Sequence, residues 1–432
     1  MTKKRKFNIA IVGLGNIGLN LYKHLIKNKK SIVQKNNVDF EVKYVSAKNI
    51  KKKREIKIPK NKWLKSYLHA SKLKDIDLIV ELIGGAEGPA KKLVFNAIKN
   101  KKHVVTANKS LISKHGNQLA ILAEKNKVNI EFEAAVAGGI PIIRTLKEGL
   151  IANKNKKIYG ILNGTSNYIL SNLDKNNMNF GKVLNNAKQL GYAESNPKSD
   201  LNGEDVRSKI QILSSLAFNC LINNSKINLE GINFIDEIDI KNANILGYKI
   251  KHLGLSEIEN GKLIQRVHPC LIRKESRLSN VNGVLNAIII EGNPVGKSIL
   301  QGEGAGPGPT TSALVSDICS ILRGNVKFPF SVPFSKRKKI QSIDLSNKLF
   351  SSYIRLDVID KKGVLSSITK IMSKNKISVK RFIQHPFKSK KYASIIIISH
   401  KAKNTNLITC INKLSKKNFV IKTPKFIRIE EI

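Results

Sequence analysis

The sequence predicts an α/β protein built from three parts, and three patterns along its 432 residues support this. From Phe7 to Val136, short apolar runs alternate with helical spacing, which is typical of a parallel sheet wrapped by helices. Residues 141–322 mix helices with longer strands, which favours an α+β domain with a mixed sheet. From Tyr353 onward the pattern follows a compact β-α-β-β-α-β order, as in ferredoxin-like domains.

Composition narrows the class of protein further. No apolar run approaches the roughly 20 residues of a membrane helix, so we expect no membrane partner and a cytoplasmic location. The four cysteines form no CxxC pair, which argues against zinc and disulfide sites. A net charge of +46 would suit a nucleic-acid partner. Lysine and asparagine nevertheless crowd every exposed stretch without interleaved aromatics, so we expect compositional drift and no specific nucleic-acid partner.

The first part is predicted to contain five strands with helices between them. Ile17, Leu21 and Leu25 recur at helical spacing after the first strand. The predicted strands are Phe7–Val12, Glu41–Val45, Ile76–Leu82, His103–Thr106 and Val128–Ala134.

A glycine turn, Gly13-Leu14-Gly15-Asn16-Ile17-Gly18, follows the first strand and opens the first helix. Gly13 allows the tight turn, Gly15 lets the backbone approach a pyrophosphate, and Gly18 lets helix and strand pack closely. The helix N-terminus, at Asn16 and Ile17, offers free N–H groups to phosphates. Because strand, turn and helix occur in this order, the segment predicts a Rossmann-type dinucleotide-binding domain.

The end of the second predicted strand bears on the choice of cofactor. An acid often stands there to bind the ribose 2′-hydroxyl of NAD, whereas this chain has Val45-Ser46-Ala47-Lys48-Asn49 followed by the basic run 51–54. Cations at this place suit the 2′-phosphate of NADP. We therefore expect NADP, and NAD stays open because lysine-rich loops are common throughout the chain.

Three segments carry candidate chemistry. Thr106-Ala107-Asn108-Lys109 ends a predicted parallel strand, at the edge where open α/β sheets bind ligands. In residues 160–168 a strand ends in a polar turn that offers backbone N–H groups and hydroxyls to a small polar ligand. The alternative is a plain helix cap at Thr165 or Ser166. In residues 191–209, Asp205 and Lys209 stand one helical turn apart, and with Glu194 and Asp200 they predict a charged pocket beside an apolar helix face. The alternative is an exposed salt bridge, which would contribute only about 0.3–0.5 kcal/mol.

The middle part is less regular. A glycine-rich segment, 302–308, precedes a helix predicted from Pro309, and the basic residues 323–349 are predicted to cross the surface as a linker. The predicted strands of this part are Lys157–Leu162, Leu263–Leu271 and Leu285–Glu291, and those of the last part are Tyr353–Val358, Ile377–Gln384, Tyr392–Ser399 and Phe419–Arg428.

Taken together, the motifs resemble the homoserine dehydrogenase family over essentially the whole chain. The resemblance rests on the glycine turn, Val80–Gly85, the TANK segment ending at Lys109, Glu133–Ile143, and the blocks 160–170 and 191–209. It implies reversible, NAD(P)H-dependent reduction of L-aspartate 4-semialdehyde to L-homoserine, in threonine, methionine and isoleucine biosynthesis.

The resemblance also implies roles for single residues. Lys109 would lie near the nicotinamide, Lys209 would donate the proton, and Asp205 would complete the catalytic group. Glu194 would bind the substrate amino group, and the other implied substrate residues are Asp200, Gly164 and Thr165. The implied cofactor residues are Gly13, Gly15, Asn16, Ile17, Gly18, Lys48, Gly84, Thr106, Lys109 and Gly304.

A sodium ion is implied as well, since oxygen ligands suit a hard cation. Its implied ligands are Glu133, Val136, Gly138 and Ile140.

The chain departs from the family pattern at two places. The family usually has aspartate where Asn196 stands. Arg-Asp is common in place of Lys48-Asn49, and this second departure leaves the cofactor preference open.

The last part, residues 350–432, resembles an ACT domain, an amino-acid-sensing module. Its Asp360-Lys361-Lys362-Gly363 turn would leave backbone free for an effector, and threonine is the effector that the family implies. A purely structural role in dimer contacts is the alternative. We therefore expect a dinucleotide-binding domain at 1–140, a catalytic and dimerisation domain at 141–322, a linker at 323–349 and a regulatory ACT domain, in a homodimer or homotetramer.

Other readings fit the sequence less well. Phosphoglycerate dehydrogenase places its dinucleotide turn mid-chain, and prephenate dehydrogenase needs a catalytic histidine that none of the eight histidines matches. A non-catalytic, basic nucleotide- or RNA-binding regulator would be expected to lack Lys109, Glu194 or Lys209, and all three are present.

Overall fold

The computed structural model describes residues 6–176, 178–223, 227–324, 326–386 and 391–432. Two sheets organise the chain. The N-terminal sheet has the strand order β2-β1-β3-β4-β5, and all of its neighbours are parallel. Its strands are β1 (Phe7–Val12), β2 (Phe40–Ser46), β3 (Leu78–Glu81), β4 (His103–Thr106) and β5 (Ile130–Glu131), and its helices are α1 (Asn16–Lys27), α2 (Lys29–Asn36), α3 (His69–Lys72), α4 (Pro89–Lys99) and α5 (Lys109–Asn126).

The predicted strands β1 and β4 are confirmed at both ends. The predicted strand Val128–Ala134 was too long, since only Ile130–Glu131 pairs with β4. The chain leaves the sheet at the next residues because a 3-10 turn begins at Glu133, whose backbone N–H donates to Asp317 at 2.9 Å.

The second sheet begins in the middle of the chain, with the order β11-β10-β6-β8-β9. Its strands are β6 (Lys154–Ile161), β7 (Asn228–Leu229), β8 (Tyr248–Glu259), β9 (Lys262–Arg273), β10 (Leu285–Asn293), β11 (Gly296–Glu303) and β12 (Ser342–Ile343). The helices are α6 (Ile142–Arg144), α7 (Gly164–Asn176), α8 (Phe180–Gln189), α9 (Lys198–Leu201), α10 (Glu204–Ala217), α11 (Glu237–Ile245) and α12 (Pro307–Leu322). Antiparallel pairs join β6, β8, β9, β10 and β11, while β7 and β12 lie parallel to β9, so the sheet is mixed as predicted.

The C-terminal part extends this second sheet by the order β17-β13-β15-β14. Its elements are β13 (Leu349–Ile359), α13 (Val364–Lys374), β14 (Val379–Pro386), β15 (Tyr392–Ser399), β16 (Ala402–Lys403), α14 (Asn404–Leu414) and β17 (Lys425–Ile429). Strand β17 lies parallel to β9 through Arg428–Cys270 and Ile429–Leu271, so the β-α-β-β-α-β unit and the middle part share one sheet.

Other expectations differ from the structure in detail. The helix predicted from Pro309 begins two residues earlier, at Pro307, and the predicted strand Ile377–Gln384 lies at Val379–Pro386. The predicted strand Phe419–Arg428 starts only at Lys425, because Pro424 carries no N–H for a strand ladder. Residues 323–349 do not simply cross the surface. Phe330 and Arg337 are buried there with 4.2 Å between ring and guanidinium, and β12 joins the sheet.

In the described ranges, no helix combines the length and apolar character needed to cross a bilayer.

Candidate active site

The glycine turn forms a backbone cradle at the C-terminal edge of the parallel sheet. A Cβ added to Gly13, whose φ is 109°, would lie 2.3 Å from the Leu82 carbonyl oxygen, and one added to Gly18 would lie 2.2 Å from the Gly13 carbonyl oxygen. Gly15 meets no atom within 4 Å and caps the N-terminus of α1. The first-turn N–H groups of Asn16, Ile17 and Gly18 have no partner within the helix, so they can bind phosphate.

A cavity of about 780 Å³ opens beside this turn. Val12, Gly13, Leu14 and Gly15 line one side, and the segment after β2 lines the other. Four cations border it, namely Lys48, Lys52, Arg54 and Lys65. The described residues that line the cavity include no carboxylate. The cavity therefore suits a ligand with several phosphate groups.

Arg54 ends the basic run 51–54 that the sequence analysis connected with the cofactor. Its guanidinium donates to the carbonyl oxygens of Asn49, Ile50 and Lys52 at 2.8–3.0 Å and lies 4.9 Å from the Trp63 ring. It folds the basic loop over the end of β2, which fixes Lys48 and Lys52 at the cavity rim.

A buried carboxylate, Glu81, ties the ends of β3 and β4 together. It accepts hydrogen bonds from the Ile83 and Gly84 N–H groups at 2.7 and 3.0 Å and from the Thr106 hydroxyl at 2.6 Å. Thr106 in turn accepts from the Asn108 N–H at 3.0 Å. Glu81 lies within the block Val80–Gly85, but it was given no role in the sequence analysis, because a strand acid inside an apolar run carries no signal of its partners.

Asn108 continues this network to a predicted catalytic residue. Its side chain donates to the Gly85 carbonyl oxygen at 2.8 Å and accepts from the Leu111 N–H at 3.0 Å, which caps helix α5. Lys109 is the first residue of that helix. The position of its side chain is thus fixed by the loop ends of two strands.

The central feature of the site is the Asp205 carboxylate, which lies between two lysines. One oxygen is 2.9 Å from Lys109 Nζ and the other is 2.7 Å from Lys209 Nζ. Asp205 and Lys209 share a face of α10, as their spacing predicts, and both are buried. The Lys209 ammonium also donates to the Leu162 carbonyl oxygen at 2.6 Å. An exposed salt bridge, the alternative raised from the sequence, does not describe this pair.

The two lysines differ in their electrostatics. Asp205 raises the pKa of Lys109, with smaller contributions from Asp200 and Glu194. Burial lowers the pKa of Lys209, although Asp205 opposes this shift. Burial would raise the pKa of Asp205, but Lys209 and Lys109 outweigh it and hold that pKa far below its usual value. Lys209 is therefore the stronger acid of the pair, beside a carboxylate that stays charged.

Asn163 joins the carboxylates of two helices. Its side-chain amide donates to Asp200 at 2.8 Å and to Asp205 at 2.9 Å. Its carbonyl oxygen accepts from the Ser166 N–H at 2.8 Å, so Asn163 caps helix α7. This corrects the alternative reading, which placed the cap at Thr165 or Ser166. Asn163 was included in the sequence analysis only within the polar turn of residues 160–168.

The remaining predicted substrate residues surround this group. The Thr165 hydroxyl donates to the Tyr192 carbonyl oxygen at 2.6 Å, which holds the loop that carries Glu194. Gly164 begins α7, and a Cβ there would lie 2.8 Å from the Val284 carbonyl oxygen. Glu194 is exposed, and its negative charge contributes to the raised pKa of Lys109.

An opening of about 480 Å³ leads to the paired charges. Its walls include Ala86 from the loop after β3, Lys109 and Ser110 from α5, and Asp205 and Ser208 from α10. The opening therefore lies between the dinucleotide-binding sheet and the middle part of the chain. It can take a small polar molecule that reaches a lysine pair able to donate a proton and stabilise an oxyanion.

The predicted cation ligands fall in one tight segment. Ala137 and Gly138 have φ values of 52° and 30°, which turns the chain between Glu133 and Ile140. Both Glu133 carboxylate oxygens accept N–H groups of α6, from Ile143 at 2.8 Å and Arg144 at 2.7 Å, and burial raises the pKa of Glu133 to about 7. The implied ligands, one carboxylate and three backbone carbonyl groups, are all oxygen donors, which is the chemistry a hard cation needs.

Gly304 lies against this segment and does not line the cavity beside the glycine turn. An added Cβ would collide with the Asn286 side chain at 2.0 Å, and the Gly304 carbonyl oxygen lies close to Gly138. Among the described residues, no cluster of three or more His, Cys, Asp and Glu side chains is placed to bind a metal.

Comparisons with known proteins agree with one another. Two family descriptions match, "Homoserine dehydrogenase" over residues 141–319 and "Homoserine dehydrogenase, NAD binding domain" over residues 13–133. The homoserine dehydrogenase of Neisseria gonorrhoeae is 39% identical over 98% of this chain and 99% of its own, and that of Helicobacter pylori is 37% identical over 99% and 100%. The crystal structure of a homoserine dehydrogenase from Thiobacillus denitrificans matches with a TM-score of 0.90 and 34% identity over 99% of this chain and 98% of that one. A hyperthermophilic archaeal homoserine dehydrogenase in complex with NADPH shares the fold, with a TM-score of 0.60 and 24% identity over 74% of this chain and 100% of that one.

Proposed function

The chain belongs to the homoserine dehydrogenase family, an NAD(P)-dependent oxidoreductase family, and from that premise we propose how its own residues reduce L-aspartate 4-semialdehyde to L-homoserine. The observation that carries the proposal is the pair of lysines on one buried carboxylate, Lys109 and Lys209 on Asp205.

We assign the proton to Lys209. As hydride reaches the aldehyde carbon, its oxygen becomes an alkoxide that needs a nearby positive charge and a proton. Lys209 supplies both. Because burial lowers its pKa, its ammonium is a stronger acid than that of Lys109. Such acid catalysis contributes about 10²–10⁴-fold. When bound, NADPH supplies the hydride itself.

Lys109 has a different task. Its pKa is raised by Asp205, so it keeps its charge and stabilises the developing oxyanion without giving up a proton. Its place at the start of α5, beside the Glu81–Thr106 network, would bring it near the nicotinamide of a cofactor bound at the glycine turn.

Glu194 and Asp200 bind the substrate's ammonium group. A charged amine needs a carboxylate partner in a site that is partly removed from water. Asp200 is half-buried, and burial raises its pKa, so a cationic ligand beside it removes an electrostatic penalty. Thr165 supports the part of the site that would bind the ammonium group, because its hydroxyl holds the loop at Tyr192 that leads to Glu194. Gly164 begins α7 beside it.

The cofactor is NADP in this proposal. The cavity beside the glycine turn carries Lys48, Lys52, Arg54 and Lys65, and a 2′-phosphate adds a charge that these groups can pair with. The archaeal relative with NADPH is consistent with this preference but shares only the fold with this chain. NAD would leave the same cations without that partner.

The direct test is homoserine-dependent reduction of NADP⁺ by the purified protein, followed as NADPH absorbance. We expect turnover with homoserine and a higher kcat/KM with NADP⁺ than with NAD⁺. Absence of homoserine-dependent turnover with either cofactor would overturn the proposed function.

Sodium belongs to the proposal through Glu133 and the Val136, Gly138 and Ile140 carbonyl groups. The ion would brace the turn that lies against Gly304 and the start of α6. Assays at equal ionic strength in sodium and in tetramethylammonium salts test it. Higher activity and a higher unfolding temperature in sodium are expected, and identical values in both salts would exclude it.

We further propose that the C-terminal β-α-β-β-α-β unit is an ACT domain that binds threonine and inhibits the enzyme, within threonine, methionine and isoleucine biosynthesis. The turn before α13 supports this, since Gly363 has φ 85° and no atom within 4 Å of an added Cβ, which leaves its backbone open. Inhibition by millimolar threonine is expected. Activity indifferent to threonine would reduce this unit to a structural role.

A further inference from the structure

The C-terminal part and the lysine pair are connected by a line of polar contacts that crosses the shared sheet. Arg428 on β17 donates to both carboxylate oxygens of Glu230 at 2.8 Å and to the Asn404 side chain at the start of α14 at 2.9 Å. Arg428 is only 1% exposed, so its charge depends on these partners.

Glu230 contacts Arg428 through its side chain and His252 through its backbone. Its carbonyl oxygen lies 3.0 Å from His252 Nε2 on β8. Because a carbonyl oxygen only accepts, Nε2 carries the proton, and burial lowers the pKa of His252 to about 4, so the ring is neutral. Nδ1 is then an acceptor in a buried position.

Nδ1 of His252 faces the Ser166 hydroxyl at 3.4 Å. The hydroxyl has one proton, which it can donate to His252 Nδ1 or to the Asn163 backbone carbonyl oxygen at 3.3 Å. The Ser166 backbone N–H donates to the Asn163 side-chain oxygen at 2.8 Å. The Ser166 N–H holds the Asn163 carboxamide in one orientation, with its two N–H bonds directed at Asp200 and Asp205, and the hydroxyl contact with His252 positions Ser166 itself. His252 also touches the start of α10, since a Cβ on Gly203 would lie 3.3 Å from its ring.

We propose that Arg428, Glu230, His252 and Ser166 form a positioning relay that sets the orientation of Asn163, and through it Asp205, in response to the C-terminal part. The relay rests on the proposed role of Asp205 and Lys209. It gives the strand β17 a physical route to the catalytic group, separate from the direct packing of the two parts. Coupling of this kind changes activity by about 2- to 30-fold.

The first test compares two buried arginines on the same seam. Arg428→Met breaks the relay. Arg355→Met is the matched control, because Arg355 on β13 is buried and pairs with Asp236 and Asp239 in the region 227–245 without a contact to Asn163 or Ser166.

We expect Arg428→Met to lower kcat/KM for homoserine about 3- to 30-fold, while the Kd for NADPH stays within about twofold. Arg355→Met should lose comparable unfolding stability with kcat/KM nearly unchanged. Equal kinetic losses in the two variants, or none in Arg428→Met, would overturn the relay.

A second pair of variants separates loss of the relay from misfolding. Ser166→Ala removes only the central hydroxyl, and Ser171→Ala removes a buried hydroxyl on the same helix that donates to the Asn167 carbonyl oxygen at 2.7 Å. We expect kcat/KM to fall in the first and hold in the second. The double variant Ser166→Ala/Arg428→Met should be no slower than the slower single variant, and multiplicative losses would contradict a shared route.

The wild-type protein is assayed in each series. If it shows no homoserine-dependent NADP⁺ reduction, the proposed function fails and the relay fails with it. If the wild type is active and each variant equals its matched control, the relay alone is refuted.

Discussion

The Lys209 ammonium lies 2.7 Å from the Asp205 carboxylate, one turn along the same helix and almost removed from solvent. Lys109 approaches the other oxygen of that carboxylate from a different domain, at 2.9 Å. One buried negative charge therefore holds two positive charges whose pKa values shift in opposite directions. In the proposed mechanism, this asymmetry makes Lys209 the proton donor and Lys109 the fixed cation.

Replacing Asp205 by asparagine should change the pH dependence of the reaction. The Asp205 charge raises the pKa of both lysines, so its loss lowers both values. Aldehyde reduction needs a protonated lysine, and we expect the alkaline limb of its kcat–pH profile to move to lower pH. Glu204→Gln, which removes a neighbouring carboxylate paired with Arg207, is the control and should leave the limb in place. A shift of that limb to higher pH in Asp205→Asn would contradict the assignment.

The cations after β2 should set the cofactor preference. Lys48→Ala and Lys52→Ala each remove a cation from the cavity wall, and we expect each to raise KM for NADP⁺ about tenfold, as for a charged hydrogen bond to phosphate. KM for NAD⁺ should hardly change. Lys57→Ala, an exposed lysine outside the cavity wall, is the matched control. Equal effects of Lys48→Ala on the two cofactors would remove the argument for NADP.

Glu81 should matter for stability and for cofactor affinity together. Glu81→Gln replaces an acceptor of three hydrogen bonds by a group that places an N–H against other donors. We expect the free energy of unfolding to fall by about 1–3 kcal/mol, measured by denaturant titration, with weaker NADPH binding. Glu41→Gln, on a partly exposed carboxylate paired with Lys62, should cost far less. A stability loss in Glu81→Gln no larger than in this control would show that the buried network is not needed.

The sequence predicted the parts of the fold that depend on local patterns. Strand β1 and the glycine turn were found because apolar alternation and glycine spacing lie within a few residues of each other. Strand β8 was not predicted, since it carries Lys251 and His252 inside the protein. Lys251 is buried because it donates to the Val281 carbonyl oxygen at 2.6 Å, a partner 30 residues away that no local pattern shows.

The site shows the same division. The spacing of Asp205 and Lys209 was enough to place them on one face of a helix, and the resemblance to a family added Lys109 and Glu194. Asn163 was missed as a functional residue because its side chain donates to both Asp200 and Asp205, which lie 37 and 42 positions away in the chain. An asparagine before a helix is otherwise an ordinary cap.

The most direct test of the account is the turnover of Lys209→Ala with homoserine and NADP⁺, measured beside its Kd for NADPH. Lys188→Ala, an exposed lysine on α8, serves as the control for loss of one positive charge. We expect kcat to fall about 10²–10⁴-fold in Lys209→Ala with the NADPH Kd nearly intact, and no comparable loss in the control. Turnover of Lys209→Ala equal to that of the wild type would contradict the assignment of Lys209 as the proton donor.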